Sequence, residues 1–175
     1  EAAHGWFGNG VRLRCWEDFV LSEGTVSYLA ARAIEATEGA TGHDAIWAQY
    51  EQELAHAIAL HDVPAYPTTC DAIDIVSDPL WSDIPYMKGA FFYRAVEERI
   101  GRDTLDAALR AFYLAYVGHA ATMQDMIDAL EDASAGLAGG RAHAAGRVGG
   151  IGGWGPRAPA PRCGPPGASR HTLAE

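Results

Sequence analysis

The sequence predicts a mostly α fold followed by a tail with no packed structure of its own. Three observations carry this. Apolar residues recur at three- and four-residue spacing along residues 1–135, glycine and proline breaks punctuate that pattern, and residues 136–175 lose it. At 175 residues the chain is long enough for one domain with a buried core.

Residues 1–7 read as the end of a helix, closed by Gly8-Asn9-Gly10, which can adopt the positive φ of a helix exit. A second helix is predicted from about Trp16 to Thr37. Its apolar positions are Phe19, Val20, Val26, Leu29, Ala30, Ala33 and Ile34. Glu38-Gly39 ends it, and Thr41-Gly42 leads into a third helix, about His43 to Leu60. Pro64, Pro67 and Thr68-Thr69-Cys70 form a loop, with Ile73-Asp74-Ile75 too short to count as a strand.

Pro85 suits the first turn of the helix that follows, Tyr86 to Ile100. Gly101 separates it from a helix over about 103–117, with Leu105, Leu109, Phe112, Tyr113 and Tyr116 apolar. Thr122 caps a last helix to about Ala133, whose stripe is Met123, Met126, Ile127 and Leu130. There is no internal repeat.

After Ser134 the composition changes. Residues 136–175 hold eleven glycines and five prolines, and such a segment buries too little surface to offset its ordering entropy. Disorder is expected there. A shifted reading frame of GC-rich DNA and a genuine flexible tail would both give this composition. Trp154 and Cys163 within it carry no functional expectation.

Charge divides at the same boundary. Residues 1–135 carry eight Lys and Arg against twenty-two Asp and Glu, net −14; residues 136–175 carry five Arg against Glu175, net +4. An acidic body has no basic face with which to displace counterions from phosphates, so a nucleic-acid partner is not expected. No apolar run approaches the ~20 residues that span a bilayer. Cys15 and Cys70 lie near predicted element ends and either pair or stand as unrelated buried thiols.

The chemistry concentrates at the start. Glu1-Ala-Ala-His4 matches the last four residues of H-E-x-x-H, and eighteen residues separate His4 from Glu23. On a helix, histidines four apart grip one zinc ion, and the glutamate after the first reaches the attacking water. Zinc hydrolysis needs three protein ligands and an open position. Alone, Glu-x-x-His is a weak signal, since a helical histidine is more often a surface or core residue than a ligand.

The flanks strengthen it. His4-Gly-Trp-Phe-Gly-Asn9, Trp16-Glu-Asp18, Leu21-Ser-Glu23-Gly24 and Pro85-Tyr86-Met-Lys88-Gly89-Ala90 occur in order. Together they closely resemble the aminopeptidase N family of gluzincin zinc peptidases, which reads H-E-x-x-H-x-W-x-G-N, W-x-D, L-N-E-G and Y-x-K-G. The resemblance covers about residues 1–133. It implies the helical C-terminal lobe of a thermolysin-like metallopeptidase domain over 1–135, and an aminopeptidase that cleaves N-terminal peptide bonds with zinc-activated water.

By position it implies that Glu1 is the general base, that His4 and Glu23 are zinc ligands, and that Tyr86 stabilises the oxyanion. Outside the family match, Tyr86 would read as an aromatic packing on the core, like Phe92 and Tyr93. Asp18 and Asn9 read as helix-end or supporting residues. Ser22 stands where the family more often has asparagine. The G-x-M-E-N segment that recognises a substrate's amino group does not occur in this sequence. The expectation is therefore a chain that opens inside its own motif, lacks the first histidine and the N-terminal part of its domain, and by itself binds zinc weakly and is inactive.

The competing reading is a non-catalytic helical scaffold or interaction fragment of the same descent. One branch of the family hydrolyses epoxides, but no residue here argues for it. A Cys15–Cys70 bridge, with the family's habits, leans toward an exported protein.

Overall fold

The computed structural model describes residues 1–61 and 81–143. It is mostly α, as the periodicity predicts. The elements are α1 (Phe19–His61), α2 (Asp83–Ile100), α3 (Arg102–Tyr116) and α4 (Met123–His143), with two-residue strands β1 (Arg12–Leu13) and β2 (Ala120–Ala121). The predicted loop at Pro64 to Cys70 and the Ile73-Asp74-Ile75 stretch lie outside the described residues. So does the tail beyond His143.

Gly39 breaks α1 at φ 68°, ψ −155°, a conformation that costs glycine little. The chain folds back there. Tyr50 donates from its hydroxyl to the Ser27 carbonyl at 3.1 Å, although twenty-three residues of straight helix would hold them roughly 35 Å apart. The predicted stop at Glu38-Gly39 thus holds, and helical conformation resumes directly beyond Gly39. Ahead of α1, Trp16–Asp18 is a 3₁₀ turn, so the α-helix begins three residues later than predicted.

The first half of α1 and α2 form the centre of the molecule. Tyr28 and Tyr93, both fully buried, lie against each other with ring centroids 5.6 Å apart. Leu21 on α1 and Ile84 on α2 are equally buried. On α3 the buried positions Leu105, Ala108, Leu109 and Phe112 follow the spacing of a single apolar face. Met126 and Leu130 of α4 close the core.

A charged network ties three helices together beside that core. The Tyr28 hydroxyl donates to Glu97 Oε2 at 2.7 Å and accepts from Arg32 Nη1 at 2.8 Å. Arg32 also forks onto both oxygens of Asp106, and Arg102 bonds Glu97 and Glu35. Burial alone would raise the Glu97 carboxyl, but hydrogen bonds from Arg102 and Tyr28 outweigh it and hold it below its ordinary value.

One sequence expectation is refined and one corrected. Residues 1–7 carry the predicted helical turn and exit, with Ala2–Gly5 of the 3₁₀ type. The last bonds of the turn, Phe7 N–H to Ala3 and Asn9 N–H to His4, widen into a helix-exit pattern around Gly8 at φ 108°. The last helix also outruns its predicted end at Ala133 and reaches His143, so residues 136–143 are helical. The alanine- and leucine-containing stretch there favours helix strongly enough to tolerate glycine, at about 1 kcal/mol per glycine.

At the other end of α4 the capping prediction holds. Thr122 Oγ1 accepts from the Asp125 N–H at 3.0 Å while Asp125 Oδ2 accepts from the Thr122 N–H at 2.9 Å, a reciprocal box. Asp18 adds a second cap, its Oδ1 accepting from the Met123 N–H at 2.8 Å. That bond, with the parallel register Arg12 to Ala120 and Leu13 to Ala121, fastens the N-terminal segment to the start of α4. Cys15, buried beside it, is disulfide-bonded. Cys70, for which the sequence left pairing with Cys15 open, lies outside the described residues.

Candidate active site

Four residues singled out in the sequence fall in one region, but they are not equally engaged. His4 sits in the opening 3₁₀ turn and Glu23 in the first two turns of α1. His4 Nε2 lies 3.4 Å from Glu23 Oε2, with side-chain exposures of 25% and 15%. The pair is sheltered yet reachable from solvent.

The ring is oriented from behind. His4 Nδ1 lies 3.2 Å from the Phe7 carbonyl oxygen, which can only accept, so Nδ1 carries the proton. In the neutral ring the Nε2 lone pair therefore faces the Glu23 carboxylate. Two electron-rich donors facing each other call for a proton or a cation between them. Ser22 Oγ donates to the other Glu23 oxygen, Oε1, at 3.1 Å.

Gly8 makes room for this arrangement. A Cβ there would lie 2.8 Å from Ser22 Oγ and 3.0 Å from His4 Nδ1, and φ of +108° already disfavours any side chain. The serine that departs from the commoner asparagine thus bonds the carboxylate directly. Its position next to Glu23 was the only sequence signal for that role.

Tyr86 stands in the first turn of α2, half-buried, with its ring edge against Phe19 at 5.6 Å. Burial, then the negative charges of Glu23 and Asp83, push its hydroxyl up to about 12. At neutral pH it is a proton-bearing donor within electrostatic reach of Glu23. Glu1 is exposed. Its carbonyl accepts the His4 N–H at 3.1 Å, and its charge contributes to raising the Glu23 carboxyl. The structure joins His4 to Glu23, sets Tyr86 near that pair, and leaves Glu1 at the solvent side. Asp18 and Asn9 take helix-end positions, as expected.

Glu23 is held against its own preference. Burial raises its carboxyl above the ordinary value, and the His4 and Ser22 contacts offset this only in part. A raised folded-state pKa favours folding while the carboxyl is protonated, and that contribution is lost as pH rises through the folded value. Without metal, Glu23→Gln is therefore expected to melt higher than the parent at pH 7, with the difference shrinking toward pH 4. Melts that separate more widely in acid would contradict this.

Among the described residues there is no cluster of three or more His, Cys, Asp or Glu side chains able to hold a metal ion. His4 and Glu23 supply two donors.

With this geometry in place, comparison with known proteins settles the class. The Peptidase family M1 domain matches residues 1–141, and the chain belongs to that family. It is similar to leucine aminopeptidase 2 of Neosartorya fischeri, 32% identical over 122 residues, covering 67% of this chain and 19% of that protein. It is also similar to aminopeptidase M1-B of Oryza sativa subsp. japonica, 29% identical over 138 residues, covering 77% of this chain and 15% of that protein. Aminopeptidase 2, mitochondrial, of Saccharomyces cerevisiae is 28% identical over 141 residues, with 77% and 14% covered. The chain spans less than a fifth of the length of these curated relatives.

Proposed function

We propose that this chain supplies part of the catalytic domain of a zinc aminopeptidase, with His4 and Glu23 as two of the metal ligands. The supporting observation is the His4–Glu23 pair. Two ligands at 2.0–2.2 Å from one tetrahedral zinc ion stand about 3.4 Å apart, and the two donor atoms are 3.4 Å apart here. The backbone carbonyl on His4 Nδ1 is the usual partner of a ligating imidazole. Zinc hydrolysis takes three protein ligands, and among the described residues no third His, Cys, Asp or Glu joins this pair.

Bound zinc supplies a Lewis acid that polarises a carbonyl and lowers the pKa of water toward neutrality. The residues do the rest. Glu1, exposed to solvent, would take a proton from the attacking water and return it to the departing amine. Tyr86 keeps its proton at neutral pH and donates to the oxyanion that develops on the scissile carbonyl. Ser22 holds one oxygen of Glu23, leaving the other toward His4.

Exopeptidase action rests on the relatives' names. The complete enzyme is expected to cleave unblocked aminoacyl amides, to lose activity with a zinc chelator, and to regain it with zinc. Equal cleavage of N-acetylated substrates would remove the aminopeptidase reading. Activity that survives chelation would remove zinc.

A further inference from the structure

We infer that Gly24 and Gly89 are positioning residues: their contact sets how far Glu23 on α1 stands from Tyr86 on α2. The inference rests on the reading above that Glu23 and Tyr86 serve one site. Both glycines are buried where the two helices cross. A Cβ on Gly24 would lie 2.6 Å from Gly89 Cα and 3.0 Å from Val20 Cγ1. A Cβ on Gly89 would press on Gly24 Cα and lie 2.9 Å from the same valine carbon. The obstacle is backbone, which cannot rotate aside, so α1 and α2 would have to separate.

Local conformation gives no reason for either glycine. The positive-φ glycines described are Gly8, Gly39, Gly101 and Gly118, and neither Gly24 nor Gly89 is among them. In a helix interior alanine is favoured over glycine. The close crossing is what requires them.

The site residues are carried on the turns that meet. Glu23 immediately precedes Gly24, and Tyr86 precedes Gly89 by three residues, just under one turn. A hydrogen bond next to the crossing fixes the helices along their axes. Thr25 Oγ1 lies 2.7 Å from the Leu21 carbonyl and 2.8 Å from the Tyr93 hydroxyl. Because a carbonyl only accepts, Thr25 donates there and Tyr93 donates to Thr25. The glycine contact controls separation, and the Thr25–Tyr93 bond controls sliding.

The test places 3-fluorotyrosine at position 86 of the full chain and records its fluorine resonance. Gly24→Ala is expected to displace the resonance by more than its linewidth, and Tyr93→Phe to displace it less. Met126→Ala, a core truncation on α4, is expected to leave it in place, which separates positioning from general loss of stability. An unmoved resonance in folded Gly24→Ala overturns the inference, as does an equal displacement in Met126→Ala. If Gly24→Ala does not fold, Gly24→Ala combined with Val20→Ala, which removes the valine carbon beside the new methyl and keeps the backbone obstacle, decides by the same linewidth criterion. Zinc added to the complete enzyme carrying the same label, otherwise unsubstituted, tests the site itself. A resonance indifferent to zinc but displaced by Gly24→Ala counts against the shared site and leaves the crossing standing. The reverse pattern overturns the crossing alone.

Discussion

Glu1→Gln in the complete enzyme is expected to lower kcat by about 10²–10⁴-fold while its zinc content stays the same. Glutamine keeps the shape of glutamate but cannot take a proton from water. The two donors that face each other, His4 and Glu23, are untouched by the change. The effect should therefore appear in kcat, with KM nearly unchanged. Metal analysis beside steady-state kinetics on an unblocked aminoacyl substrate checks both halves. Full turnover in the variant would show that another group is the base. Parallel loss of zinc and activity would make Glu1 part of the metal's support instead.

Tyr28→Phe is expected to cost about 1.5–3 kcal/mol of folding stability, the range for a hydrogen bond to a charged partner. For a chain of this size that is a fall of about 4–10 °C in melting temperature. The ring would still fill its place against Tyr93, so no cavity enters the sum. The lost hydroxyl bridges Glu97 on α2 and Arg32 on α1. Both charges keep another partner, Arg102 for Glu97 and Asp106 for Arg32, so neither is stranded. A melting temperature within about 1 °C of the parent would mean that the arginines alone hold the three helices together.

Much of the local structure was legible in the chain because it depends on local causes. Gly39 and Gly101 mark real interruptions, since only glycine takes their positive φ without strain. Thr122 and Asp125 announce the start of α4 because the capping box lies within four residues. Spacing guided less well where the local cause was weak. The opening residues carry the sequence of a helix end and form it as one 3₁₀ turn. The glycines near residue 136 suggested an end to α4, yet scattered glycines lower helix propensity without breaking the hydrogen-bond ladder.

The site divides in the same way. The order of Glu1, His4, Glu23 and Tyr86 along the chain, with the residues around them, was enough to point to the peptidase family that the chain belongs to. Their spacing could not bring them together, because contacts between separate elements are not encoded at any fixed sequence interval. The turn around Gly8, with its carbonyl behind His4, aims the imidazole at Glu23. Ser22 becomes a partner of the carboxylate only once α1 is formed and that turn is packed against it. By itself the sequence determined where most of the helices run and which side chains can do chemistry, both set by residue type and near neighbours. The crossing of α1 and α2, the burial that raises Glu23 and Tyr86, and the meeting of His4 with Glu23 were decided by tertiary packing, which alone sets how closely distant segments approach and how much water remains around them.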